Sequence, residues 1–449
     1  MKKAAITLAV LLSLSLCLMV SASAIIGGTA TEVSFTQENV VGDPASAEGF
    51  SVQSLFTLKG HAHWDTTLTL GEKPTWNTDF CYTTISKVES YPLERFARLY
   101  PITDFGIHSY STLNLSEIPE LRPYASVLRE MAQEAPANAE EYAKTVALSD
   151  ITDYFPIGLN TDADTLLFPF SFGASSDDNG FLAQYFHIPT EGYMVRLSVD
   201  TDASKNLIGA SLTVQDAPII SATGYVTEDA LYLAFGAEIA IPGSAPSGLY
   251  RFPITEYRGS SILEPDEAEM VLPLESNVID LCTVGNEGTL FLLTVNPESG
   301  SQGIWIDADT GEVLYTFQEA ADYSGSTVFL EGNHVIILSQ PNEEAIPRRA
   351  SVWEKDSDGQ FEKTIDADIS QATFSDCRSI RALYDEVQNR LLIAAFQNTY
   401  VSPSLQVAVC QEKAMTYAAT FISSQDKLRK TTFFQAADEF PRLHLIQTQ

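Results

Sequence analysis

The sequence predicts an all-β chain assembled from repeated four-stranded units, interrupted by one helical insertion and preceded by a secretory leader. Three observations predict this. After residue 150 almost every apolar run is short, rich in Val, Ile, Leu and Phe, and bounded by Gly, Asp or Asn, the composition of strands joined by tight turns. Candidate inner strands begin at Leu166, Leu231, Leu290, Val335, Leu391 and Leu443, a loose repeat of 45–65 residues. Helical spacing is confined to a single stretch, between Leu121 and Val146. With 45% hydrophobic and 19% charged residues in 449, the chain can bury a large core and does not fit wholesale disorder.

The amino terminus reads as an address. Lys2 and Lys3 precede an apolar run from Ala4 to Val20, and Ala22-Ser23-Ala24 offers the small side chains that signal peptidase accepts. Together they predict a signal peptide over 1–24, cleaved after Ala24, and an extracytoplasmic location, secreted or in the cell envelope. Bulky Leu16 before Cys17 argues against lipidation there. No later segment carries the run of about 18 uncharged apolar residues that a membrane span needs. Residues 25–49, rich in Gly, Ala and Ser, read as a linker to a body spanning 50–449. Loss of Cys17 leaves Cys81, Cys282, Cys377 and Cys410, widely scattered, two of them inside strand-like runs. They are read as buried free thiols rather than a disulfide framework, and without a CxxC pair there is no zinc-finger or thioredoxin-like signature.

Within the body, Ser51–Leu58, His63–Leu70 and Phe80–Ile85 are strand-like, separated by Gly60, Gly71 and Pro74. Residues 87–118 show no clear period. At about 119–148 a helical insertion is expected: Leu121, Ala125, Leu128 and Met131 recur at helical spacing, and Asn138 with Glu141 resembles a capped start leading to Tyr142 and Val146, so that two helices would form a hairpin. Tyr91, Tyr100, Tyr110, Tyr124, Tyr142 and Tyr154 cluster in and beside this insertion, read as rings packing it onto a sheet with wet hydroxyls. Later the order inside one repeat is legible: Val278–Val284, Leu290–Val295, Ile304–Ile306, a turn, and Val313–Phe317. Four strands at this period describe a β-propeller blade, whose sheet needs neighbours on both faces. The last strand candidates, Thr431–Ala436 and Leu443–Gln447, supply half a blade that strands 51–70 would complete, giving six blades, or seven if residues 50–86 form their own.

Ile304-Trp305-Ile306-Asp307-Ala308-Asp309-Thr310-Gly311-Glu312-Val313-Leu314 resembles the outer hairpin of YVTN-type and quinoprotein-type propeller repeats. Val352-Trp353-Glu354-Lys355-Asp356-Ser357-Asp358-Gly359-Gln360-Phe361 is similar to its counterpart in WD repeats. The resemblance to this propeller superfamily implies the fold. In quinoproteins the motif matched by Asp307-x-x-Thr310-Gly311 braces blades rather than binding the cofactor, so no oxidoreductase activity is carried over. Elementary chemistry agrees at the tips, where Asp caps a turn and Gly accepts positive φ.

Lys+Arg 26 against Asp+Glu 59 gives a formal net charge of −33. A field of that sign repels phosphate backbones and anionic lipid, which excludes nucleic acid as an expected partner and favours a cationic protein or peptide. Two clusters have metal-like spacing. In His61-Ala62-His63-Trp64-Asp65, alternate residues share one strand face. Glu354-x-Asp356-x-Asp358-Gly359 begins like a calcium loop, but Ile365 stands where the closing acid belongs. Both read more simply as strand surface and hairpin tip. Serine-hydrolase, zincin and phosphate-loop motifs are absent from the sequence, so no catalytic, cofactor-binding or metal-binding residue is assigned. The expected function is a secreted or envelope-facing, non-catalytic binding scaffold for a protein or peptide. The alternative is an extracellular propeller hydrolase or lyase acting on a glycan or peptide.

Overall fold

The computed structural model describes residues 15–19, 21, 34–82, 96–161, 180–424 and 442–447, apart from short stretches inside those ranges, among them 59–61, 238–242, 342–345, 356–360 and 398–403. The signal-peptide region is therefore almost wholly outside the described residues, as are the Ala24 cleavage point and the run Thr431–Ala436. Among the described residues no helix is long and apolar enough to cross a membrane. The protein is mostly β, and it divides into two compact parts, one made by both ends of the chain (1–92 with 329–449) and one by residues 93–328.

The first part opens with β1 (Phe35–Gly42), β2 (Phe50–Leu58), β3 (Ala62–Thr69) and β4 (Thr75–Tyr82). β1 corrects the reading of 25–49 as a linker. Only Phe35 of this strand is buried, so it carries no apolar period. Main-chain pairing holds it instead, Phe35 opposite Ser423 and Gly42 opposite Tyr417. Gly42, at φ 78°, leaves room for the Thr416 carbonyl, which a Cβ would meet at 2.0 Å. Asp43 then accepts from the Ala45 N–H at 3.0 Å and starts a short 3-10 turn. β4 begins at Thr75, earlier than the strand expected from Phe80, and pairs residue for residue with β3.

The middle part contains β5 (Phe96–Pro101), β6 (Asp104–His108), α1 (Ala125–Glu134), β7 (Tyr142–Ala147), β8 (Ile157–Thr161), α2 (Gly180–Phe186), β9 (Met194–Thr201) and β10 (Leu207–Gln215). These are followed by β11 (Ile220–Val226), β12 (Ala230–Ala237), β13 (Gly248–Tyr257), β14 (Ser260–Leu263), β15 (Glu269–Pro273), β16 (Asp280–Asn286), β17 (Thr289–Asn296), β18 (Gly300–Asp307) and β19 (Val313–Glu319). Three sheets result: β6-β10-β9-β7, then β14-β13-β12-β11-β5-β8 with β15 beside β13, and the meander β16-β17-β18-β19. α1 confirms the first predicted helix, burying Leu128, Met131 and Ala132 in one cluster with Val195, Leu197 and Val199 of β9. The second helix is absent. Asn138 takes a left-handed φ of 55°, which no helical N-cap has, and Tyr142–Ala147 pairs with β9 as an edge strand. On its inward side Tyr142 and Lys144 both donate to the Glu134 carboxylate at the end of α1.

The chain then returns to the first part through β20 (Tyr323–Glu331), which spans the boundary, followed by β21 (His334–Pro341), β22 (Arg349–Lys355), β23 (Phe361–Asp368), β24 (Cys377–Asp385), β25 (Arg390–Gln397), β26 (Ser404–Gln411), β27 (Ala414–Ser423) and β28 (Arg442–Gln447). β20–β23 and β24–β27 are antiparallel meanders joined by one parallel pair, Asp368 with Ala414. β28 pairs with β2, Phe50 opposite Gln447, so that one carboxy-terminal strand and three amino-terminal ones make a sheet. The runs from Leu231, Leu290, Val335 and Leu391 are β12, β17, β21 and β25, each the second strand of its meander; Leu166 lies outside the described residues. In β25, five consecutive residues, Leu391, Leu392, Ile393, Ala394 and Ala395, are each 0% exposed. A strand packed on both faces loses the alternation of a half-buried one, which explains the unbroken apolar runs.

Candidate functional site

The β6-β10-β9-β7 sheet has one apolar and one polar face. Leu212, Val214 and Ala210 of β10 point into the core beside Val195, Leu197 and Val199 of β9. Period-two alternation then puts Gly209, Ser211 and Thr213 on the opposite face with Ser198 and Asp200. Register aligns them in rows: His108, Gly209 and Asp200 in one, Gly106, Ser211 and Ser198 in the next. His108 and Asp200 stand on the strands flanking β10, yet His108 Nδ1 lies 3.0 Å from Asp200 Oδ2. Gly209 makes this reach geometrically open, since a Cβ there would lie 2.1 Å from Asp200 Oδ2. The small residues of the second row leave a depression of about 280 Å³ bounded by these side chains.

Ser198 Oγ and Ser211 Oγ are 2.7 Å apart and hydrogen-bond each other. The two hydroxyls are thus engaged with each other one row from the imidazole. At the rim Thr213 donates to Asp104 at 3.1 Å, and Arg196 pairs with Glu141 at 2.7 Å. The His108 side chain is 57% exposed and that of Asp200 24%.

A second constellation occupies the first part of the molecule. Gly332, at φ 55°, turns β20 into β21, placing His334 directly opposite Glu354 of β22. His334 Nδ1 lies 3.2 Å from the Glu331 carbonyl oxygen. A carbonyl only accepts, so Nδ1 carries the proton. Nε2 is shut off from solvent without a hydrogen-bond partner, 3.6 Å from Glu354 Oε1. Glu386, in the β24–β25 turn, joins them: one ligand atom from each of His334, Glu354 and Glu386 falls within 4.8 Å of the others. Tyr384 packs its ring 4.8 Å from the imidazole and donates its main-chain N–H at 3.2 Å to Glu331 Oε2. Burial pushes the Glu331 carboxyl above the usual carboxylate range, countered by that N–H and by the nearby imidazole.

The residues singled out in the sequence are placed as follows. His61 is outside the described residues. His63 lies on β3 opposite Cys81, and Asp65, two residues on, accepts from Gln53 Nε2 at 2.9 Å. Of the calcium-like run, Glu354 belongs to the His334 cluster, while Asp356 and Asp358 are outside the described residues. Asp307 caps its hairpin as the motif implied, accepting from Thr310 N–H and Oγ at 2.8 Å beside Gly311 at φ 71°. Tyr91 is outside the described residues; Tyr124 is fully buried, Tyr154 stacks on His187 at 4.8 Å, and Tyr110 is fully exposed. His108, Asp200 and His334 were not singled out, because their partners come from pairing register. The alternation Gly209-x-Ser211-x-Thr213, likewise not singled out, is the one local sign of a polar strand face. The sequence matches no protein-family model and no curated protein.

Proposed function

We infer that this chain is an extracytoplasmic binding scaffold whose repeated four-stranded sheets are the blades of a β-propeller, six or seven in number, and that its partner is a cationic protein or peptide. The pairing of β28 with β2, which builds one sheet from both chain ends, supports the propeller reading. The binding reading is carried by the polar sheet face where Asp200 reaches His108 over Gly209, open and lined by small side chains, on a chain of net charge −33. A lysine or arginine tip entering the depression meets a carboxylate and two hydroxyls, and the surrounding negative field steers it there. The same charge makes the interaction salt-dependent.

The test is fluorescence anisotropy of the purified protein with labelled peptides of equal length, one rich in Lys and Arg and one rich in Asp and Glu. Binding of the basic peptide alone, weakening with added salt and with Asp200→Asn, is the expected result. Affinity indifferent to peptide charge, salt and Asp200→Asn would defeat the reading.

A further inference from the structure

We propose that His334, Glu354 and Glu386 form a binding site for a divalent transition-metal cation, Zn²⁺ being the best match. The imidazole is already set for ligation. Its Nδ1–H is donated to the Glu331 carbonyl, the arrangement that fixes the tautomer and orientation of metal-bound histidines, and it leaves the Nε2 lone pair aimed at the carboxylate of Glu354. With Nδ1 protonated, two electron-rich atoms face each other at 3.6 Å, one of them sealed from water, an arrangement that a shared cation would stabilise. The separation is too long for a direct hydrogen bond. It does suit a shared metal: bonds of about 2.0–2.2 Å to nitrogen and carboxylate oxygen set neighbouring ligand atoms about 3.4 Å apart in a tetrahedron. Glu386 brings a third ligand atom within 4.8 Å of the other two, and its exposed side chain leaves the fourth position to water.

One nitrogen and two carboxylates select a borderline cation such as Zn²⁺ over Ca²⁺, which takes six to eight oxygens. The metal would tie the β24–β25 turn to the β21–β22 pair. Tyr384 of β24, its ring tilted against the imidazole with centroids 4.8 Å apart, would hold the histidine ring in place.

The experiment uses the full chain, stripped with EDTA and titrated with ZnCl₂ by calorimetry, with thermal melting in parallel and Co²⁺ absorption as a report of coordination. Expected are saturable Zn²⁺ binding that raises the melting temperature, a Co²⁺ d–d band displaced by Zn²⁺, and at least about tenfold weaker binding in Glu386→Gln and in His334→Gln. Glu386 is exposed in a turn, so its variant keeps the result readable should the His334 variant fold poorly. Saturable binding of Ca²⁺ but not Zn²⁺, no saturable binding, or Zn²⁺ affinity unchanged in Glu386→Gln would each overturn the proposal. So would binding abolished by His63→Ala, which would move the metal to β3.

Discussion

Arg390 Nη2 meets Asp385 Oδ2 at 2.9 Å with their side chains only 8% and 0% exposed. The pair sits at the two ends of the β24–β25 turn and is not alone. Asp385 Oδ1 accepts from Gln447 Nε2 at 2.7 Å and from the Gln388 N–H at 3.2 Å. Arg390 Nη1 donates to the carbonyls of Ser46 at 2.7 Å and Glu48 at 2.9 Å, while its guanidinium lies 4.7 Å from the Phe50 ring centroid. One buried ion pair thus bonds to chain segments near residues 46–50, 385–390 and 447, which are remote in sequence and adjacent around the β28–β2 pairing.

Removing one member of such a pair leaves the other charge buried and uncompensated. Asp385→Ala should destabilise the first part of the protein by about 3–5 kcal/mol, seen as a lower urea midpoint. The double variant Asp385→Ala/Arg390→Met should cost less than the two single changes summed, because both charges then leave the interior together. Additive losses would show that the pair is not coupled.

Glu331 sets a pH dependence of defined sign. Its carboxyl is raised above the ordinary 4.5, chiefly by burial. The stabilisation that goes with the protonated form is complete below that ordinary value, and it is lost as pH rises through the raised folded value. Glu331→Gln keeps an acceptor for the Tyr384 N–H and does not titrate. Its melting temperature, measured in EDTA to exclude metal, should gain on the parent's as pH rises from 4 to 8. A difference independent of pH would contradict the burial argument.

Gly209 and Gly106 separate two roles for the polar sheet face. A Cβ at Gly209 would lie 2.1 Å from Asp200 Oδ2 and 2.9 Å from its Cβ, so Gly209→Ala must push the carboxylate away from His108. A Cβ at Gly106 meets only Ser211 Cβ, at an ordinary 3.5 Å. Basic-peptide binding should therefore fall in Gly209→Ala about as far as in Asp200→Asn and persist in Gly106→Ala, with circular dichroism unchanged in both. Equal loss in the two variants would mean that the depression's volume matters, not the Asp200–His108 pair.

What the sequence displayed and what it hid divides along local and non-local physics. The meander β16–β19 was legible strand by strand because each run, and the Asp307–Gly311 tip, is written in consecutive residues. α1 was legible from the spacing of Leu128, Met131 and Ala132. β1 was not, since Phe35 is its lone buried side chain and its stability comes from main-chain bonds to β27. Tyr142–Ala147 was misread because Asn138 and Glu141 mimic a capping box, whereas pairing with β9 decides the conformation. The polar site depends on His108 and Asp200, 92 residues apart in sequence, and their meeting over Gly209 exists only once two strand registers are set. His334 and Glu354 likewise become neighbours through the β21–β22 pairing alone.

Cys410 tests the reading of the cysteines as buried thiols. The side chain is 0% exposed on β26, paired in register with Leu391 and Met415, and burial pushes its pKa up to about 12. At pH 8 its thiolate fraction is then about one part in ten thousand, and an alkylating reagent has no path to it while the strand is packed. Cys377, likewise a thiol outside any disulfide, is partly exposed and donates its S–H to Gln406 Oε1 at 3.4 Å. Iodoacetamide applied to the unreduced native protein should modify Cys377 and leave Cys410 intact by peptide mass mapping. In urea both should react, since neither has to be released from a disulfide. Equal labelling of the two in the native state would mean that β26 opens far more often than a strand sealed on both faces allows.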